Sequence, residues 1–160
     1  MPVDMIVGLF QIPDPVQALT RICALGIEVR RARAREEESL VQWVAETFSR
    51  EWASECRVAM SRIPPCCFVA IEGGVFVGFA CFDAAHRGFF GPIGVDETHR
   101  GQGIGRALLL CSLEAMAQLG YQYAIVGEVG PVRFYEKTVA ATIIPCSANR
   151  LQDRRDRPPP

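Results

Sequence analysis

The stretch Gly88–Leu110, GFFGPIGVDETHRGQGIGRALLL, decides the fold. It places a glycine-rich loop, Arg100 to Gly105, between a strand read at 89–95 and an apolar helix. Successive main-chain N–H groups in such a loop form a concave anion site. The helix behind it adds its own unpaired N–H groups and a partial positive charge of roughly half a unit. Gly101, Gly103 and Gly105 let the main chain approach a ligand without a side chain in the way, and Arg100 and Arg106 add full charges. A phosphate-rich ligand is the natural occupant. Spacing excludes two nucleotide motifs. A P-loop needs Lys then Ser or Thr after its last glycine, but Arg106 and Ala107 follow Gly105. The Rossmann fingerprint needs a third small residue where this chain has Arg106 or Leu108. The plain alternative is a tight turn whose glycines only start a helix.

The strand before the loop is irregular. Pro92 cannot donate to a ladder, and Gly91 and Gly94 weaken a regular strand. A bulge here forces the neighbouring parallel strand apart and leaves N–H and C=O groups facing the gap. An extended, amide-bearing ligand can pair with them as a substitute strand. The alternative is an ordinary edge-strand proline.

Outward from this segment, residues 3–10 read as a strand. DPVQALTRICALG reads as a helix capped by Asp14, with Pro15 in its first turn and Gly26 at its end. A strand follows at 27–33. Helical periodicity over 36–60 puts Leu40, Val44, Phe48 and Trp52 on one stripe, as one helix or two, ended by Pro64–Pro65. Strands at 66–72 and 75–83 form a hairpin through Gly73–Gly74, and 75–82 is apolar without alternation, as in a strand covered on both faces. A helix at 104–119, a strand at 121–129, a short helix at 131–139 and a strand at 141–146 complete the chain. Hairpins mixed with crossover helices predict an α/β domain with a mixed sheet. Residues 1–147 are expected to form one domain, with an added strand–helix at 1–26 that covers the sheet edge or pairs with a second copy. The charged, proline-rich tail 148–160 reads as a frayed terminus.

Composition narrows the classes. Of 160 residues, 49% are hydrophobic and 22% charged, enough for a packed core. Lys plus Arg (17) nearly balances Asp plus Glu (18), which speaks against a dedicated nucleic-acid binder. No run reaches the roughly 18 apolar residues that span a bilayer. The opening MPVDMIVGLFQIPDP lacks the basic region of a signal peptide, so the cytoplasm is the expected location. The seven cysteines include no CxxC pair, and neither they nor His86 and His99 show metal-ligand spacing. They read as small buried hydrophobes in a reducing compartment, and no metal is expected.

RGQGIG resembles the R/Q-x-x-G-x-G/A loop of the GNAT superfamily of N-acetyltransferases, with Arg100, Gly103 and Gly105 at the defining places. The kinked strand ending in Val95, the helix after the loop, the strand at 121–129 and FYEK at Phe134–Lys137 follow in the family's order, so the resemblance covers 27–147. It implies a mixed, mostly antiparallel sheet flanked by helices, with a splayed strand pair forming a cleft for acetyl-CoA. The pyrophosphate would lie on the N–H groups of Gly101, Gln102, Gly103, Ile104, Gly105 and Arg106. The pantetheine arm would pair with the backbone of Ile93 and Val95. The thioester carbonyl would lie near the N–H groups of Gly94 and Val95, which would stabilise the oxyanion of a tetrahedral intermediate. Tyr135 matches the family's tyrosine that protonates the departing thiolate. Two places depart from the pattern. Glu128 stands where the family often has Asn, and Thr138-Val139-Ala140-Ala141 follows FYEK where many members have Gly-Phe.

Transfer to an amine needs a neutral amine, and a free ammonium has a pKa of roughly 10, so a carboxylate or ordered water must help remove its proton. Glu128, at the carboxyl end of a strand beside the split, is the candidate base. Trp52 and Glu55 fall in the region that lines the acceptor side in this family, where ring and carboxylate suit a cation. The expected activity is acetyl transfer from acetyl-CoA to a primary amine on a small molecule or protein, with homodimerisation a further implication. The alternative is a noncatalytic acyl-CoA-binding or sensory domain.

Overall fold

The computed structural model describes residues 2–145 and Ser147. Its elements are β1 (Val3–Gly8), α1 (Val16–Ala24), β2 (Ile27–Arg31), α2 (Glu37–Thr47), α3 (Arg50–Met60), β3 (Cys67–Glu72), β4 (Val75–Phe82), β5 (Phe89–Val95), α4 (Ile104–Gln118), β6 (Tyr123–Val129), α5 (Val132–Val139) and β7 (Thr142–Ile143). The strands form one sheet in the order β2-β3-β4-β5-β6-β1-β7. Every pairing is antiparallel except β5 with β6. This is the mixed, mostly antiparallel sheet that the sequence implies.

Local chemistry sets the boundaries. Asp14 Oδ1 accepts the Val16 N–H at 2.8 Å at the head of α1, and Gly26, at φ +78°, ends it. The helical stretch 36–60 divides in two. Phe48 leaves helical geometry at φ −122°, ψ −83°, and Ser49 turns extended. The Ser49 hydroxyl then caps α3 by accepting the Trp52 N–H at 3.1 Å. Gly73 and Gly74 both take positive φ, as a two-residue hairpin between β3 and β4 demands.

β4 is the centre of the core. From Val77 onward it is buried on both faces. Gly78 faces α4, where a Cβ would stand 3.1 Å from both Ile104 and Leu108, so the helix backbone seats closely on the sheet there. Phe79 faces the other way, into a cluster with Trp43, Phe48 and Trp52 whose ring centroids lie 5.5–6.2 Å from its own. Thus α4 covers one face and α2 with α3 the other.

Two expectations need correcting. β1 does not cover an edge; it lies between β6 and β7, hydrogen-bonded to both. The last strand is only Thr142–Ile143; Pro145 lacks an N–H, and the Ile144 N–H donates to the Asp4 carbonyl at 2.9 Å. Cys146 and the tail 148–160 lie outside the described residues. At the end of β2, Arg30 donates to both carboxylate oxygens of Glu36, at 2.7 and 3.0 Å.

The loop between β4 and β5 is organised by Asp83, 1% exposed and at φ +52°. Its carboxylate accepts the Gly88 N–H at 2.7 Å and the Tyr121 hydroxyl at 2.9 Å, while Arg87 pairs with it from solvent at 3.3 Å. Asp83→Ala is expected to cost about 2–3 kcal/mol in urea unfolding, because the half-buried donors Gly88 and Tyr121 lose their acceptor and Ala suits the left-handed backbone poorly. Asp83→Asn, which keeps an acceptor and tolerates that backbone, is expected to cost less.

Candidate active site

The cleft begins where two strands part. β5 and β6 pair only at Phe89 with Ile125 and Phe90 with Val126. Beyond that level each strand carries a bulge. On β5, Gly91 and Pro92 together oppose Cys81, because Phe90 pairs with Phe82 and Ile93 with Ala80. On β6, Gly127 and Glu128 together oppose Asp4, because Val126 pairs with Met5 and Val129 with Val3. Glu128 takes φ +51° there, and its N–H donates to Asp4 Oδ1 at 3.0 Å. The Asp96 N–H donates to the Val77 carbonyl at 2.8 Å. Alternate residues of an antiparallel strand turn their polar groups to opposite sides. Gly94 therefore faces β4, and Ile93 and Val95 present their main-chain groups to the gap. Of the two N–H groups expected at a thioester carbonyl, only that of Val95 looks into the cleft.

The glycine loop closes the wide end. Asp96 starts it by accepting the Thr98 N–H at 3.0 Å, and Arg100 Nε donates to the Val95 carbonyl at 3.3 Å. Gly101 and Gly103 take φ +80° and +91°. The first main-chain bond of α4 runs from the Ala107 N–H to the Gly103 carbonyl, 3.1 Å. Among the described residues, no protein acceptor takes the N–H groups of Gly101 through Arg106. A Cβ at Gly105 would stand 3.8 Å from Val95 and 3.9 Å from Phe134, which leaves room for no more than a small residue. Gln102 is exposed, Ile104 is buried against β4, and Arg106 is half-buried. Arg106 also borders, with Arg21, Gln17 and Asp14 of the α1 region, a second hollow of about 780 Å³. The arrangement is an oxyanion cradle flanked by guanidinium groups.

At the other end the parted strands enclose a cavity of about 400 Å³. Trp52, Glu55, His86, Glu128 and Tyr135 line it, with the Gly91–Ile93 backbone along one wall. Tyr135 is 4% exposed, its ring edge-on to Phe134 and Phe90. Burial pushes its phenol up to about 12, so the hydroxyl keeps its proton at neutral pH and can act as an acid. Glu55 is raised above the ordinary carboxylate range, first by burial and then by the charge of Glu128, while His86 acts in the opposite direction. The two carboxylates thus share one cavity and feel each other.

Four residues singled out in the sequence, Trp52, Glu55, Glu128 and Tyr135, converge here from α3, β6 and α5. The loop residues Arg100–Arg106 form a separate group. Three contributors escaped the sequence. His86, in the β4–β5 loop, borders the cavity edge-on to Phe89. Asp4 holds the Glu128 bulge from β1. Phe48 lies over Gly94, where a Cβ would come within 2.6 Å of the ring. None has a local motif that would have marked it.

A family model described as the acetyltransferase (GNAT) family matches residues 37–139. No curated protein matches. Among solved structures, the chain resembles the GCN5-related glucosamine N-acetyltransferase region of a fungal multidomain β-N-acetylglucosaminidase (TM-score 0.70, 18% identity, 89% of this chain and 20% of that one). It also resembles a GCN5-related N-acetyltransferase from Sphaerobacter thermophilus (TM-score 0.67, 23% identity, 90% and 50%). A third likeness is to a GNAT family acetyltransferase from Brucella melitensis in complex with acetyl-CoA (TM-score 0.53, 19% identity, 74% and 86%). The chain spans half or less of the first two structures.

Gly94→Ala is expected to lower stability by about 1–3 kcal/mol in urea unfolding, because Phe48 must move from a packed aromatic cluster. Adding Phe48→Leu is expected to recover part of that loss; strict additivity of the two changes contradicts the contact. A carboxyl-carbon NMR titration is expected to put the Glu55 midpoint above the ordinary carboxylate range, and Glu128→Gln is expected to shift it down by removing the like charge.

Proposed function

Because the chain belongs to the acetyltransferase (GNAT) family, we propose that it transfers an acetyl group from acetyl-CoA to a primary amine, through the cleft between β5 and β6. One observation carries the reading. Among the described residues, the N–H groups from Gly101 to Arg106 have no protein acceptor, and they stand at the head of a helix beside strands that have parted. A diphosphate suits the first set and an amide-bearing arm the second.

Each residue then has a task. The loop N–H groups, with Arg100 and Arg106, bind the diphosphate. Ile93 and Val95 pair with the arm, and the Val95 N–H polarises the thioester carbonyl. When bound, acetyl-CoA supplies an acyl carbon already activated by a sulfur leaving group. Tyr135 holds its proton for that sulfur. Glu128 accepts the proton of the incoming ammonium directly or through water, assisted by Glu55, whose raised pKa brings it nearer the operating pH. Trp52 and the two carboxylates favour an acceptor that is cationic in solution. The free cysteines agree with the reducing cytoplasm as the place of work. Among the described residues no helix is long and apolar enough to cross a membrane.

Tyr135→Phe is expected to lower turnover about a hundredfold against a panel of amines, with acetyl-CoA affinity by calorimetry within about twofold of the unaltered chain. Acetyl-CoA uptake without turnover on any amine would favour a noncatalytic acyl-CoA-binding domain. Absence of uptake would remove the proposal altogether.

A further inference from the structure

The fold brings together three cysteines that lie far apart in sequence. Cys67 and Cys81 stand directly opposite each other on β3 and β4, with their Sγ atoms 3.6 Å apart. Cys56, on α3, completes the group from the helix layer, and all three sulfurs lie within 4.8 Å of one another. Each of the three residues is 0% exposed.

We propose that Cys56, Cys67 and Cys81 form a closed three-sulfur site for a soft, low-coordinate cation of the copper(I) class, separate from the acyl-transfer cleft. A cation 2.3 Å from three sulfurs in one plane needs them about 4 Å apart; the sulfurs of Cys67 and Cys81 lie 3.6 Å apart, and no two of the three lie more than 4.8 Å apart. Among the described residues, no His, Asp or Glu joins the group. Structural zinc takes four ligands in a tetrahedron, and calcium and magnesium require oxygens. Three sulfurs alone, shut off from solvent, select a soft ion content with three partners. Binding releases one proton to solvent for each thiol that becomes thiolate. The ion would tie α3 to the β3–β4 hairpin one residue away from Glu55.

The test uses the full chain, reduced and kept free of oxygen, titrated with copper(I) against the chelator bicinchoninate. One ion per chain is expected to be drawn from the chelator, with an ultraviolet thiolate-to-metal absorption and a raised melting temperature. Cys56→Ser, Cys67→Ser and Cys81→Ser are each expected to abolish retention, and Cys23→Ser and Cys111→Ser to leave it. X-ray absorption of the unaltered complex is expected to give three sulfur neighbours, and it decides the matter if a core variant does not fold. Failure to compete with bicinchoninate, fewer than three sulfurs around copper, or preferential retention of zinc in a parallel titration would each overturn the assignment.

Discussion

The site depends on the loss of pairing between β5 and β6. Two bulges at the same level drive the strands apart. Gly91–Pro92 bends one strand, and Gly127–Glu128 bends the other around the carboxylate of Asp4. Main-chain polar groups are costly to leave unmet, so a split sheet is stable only where water or a ligand reaches the exposed edges. Here the split opens to a cavity on one side and to the glycine loop on the other. The break thus leaves a surface made from backbone, whatever side chains flank it. What it requires of the sequence is a proline and glycines in one strand and a buried acceptor opposite the other.

The loop cannot drift relative to that split. α4 is pinned to β4 at Gly78, where Ile104 and Leu108 take the space a side chain would need. Its N-terminus, and with it the row of free N–H groups, is therefore located by core packing. Arg100 ties the loop back to the Val95 carbonyl. Phe48 does the same from the opposite face by resting on Gly94. The two glycines on adjacent strands serve one purpose: each lets a bulky partner reach the sheet, one from each layer.

Local features were legible in the sequence because their physics is local. The loop, the kink at Pro92, the Gly73–Gly74 turn and the unalternating β4 all follow from spacing within a few residues. The break at Phe48–Ser49 was half legible, since Ser49 is a good cap but the apolar stripe runs straight through it. The cavity was not legible as a cavity. Trp52 with Glu55, Glu128, Tyr135 and His86 come from separate elements, and only the strand order brings them together. The seat of β1 was hidden for the same reason: a short apolar strand does not declare its neighbours. Nothing in the sequence around Asp4 announces the bulge it supports. The resemblance singled out Tyr135, but not its burial, which pushes its phenol up to about 12.

Charge is divided along the cleft in a way the near-zero total conceals. Arg100 and Arg106 sit at the loop, and Glu55 with Glu128 sits at the cavity. Such a division favours anionic groups at the loop and cationic groups at the cavity. Placing Glu55 close to Glu128 costs something, since like charges in a partly buried site oppose each other's ionisation. Burial, together with the charge of Glu128, raises the proton affinity of Glu55. The repulsion between the carboxylates and the parting of the strands meet in one place, since Glu55 and Glu128 line the cavity that the parted strands enclose.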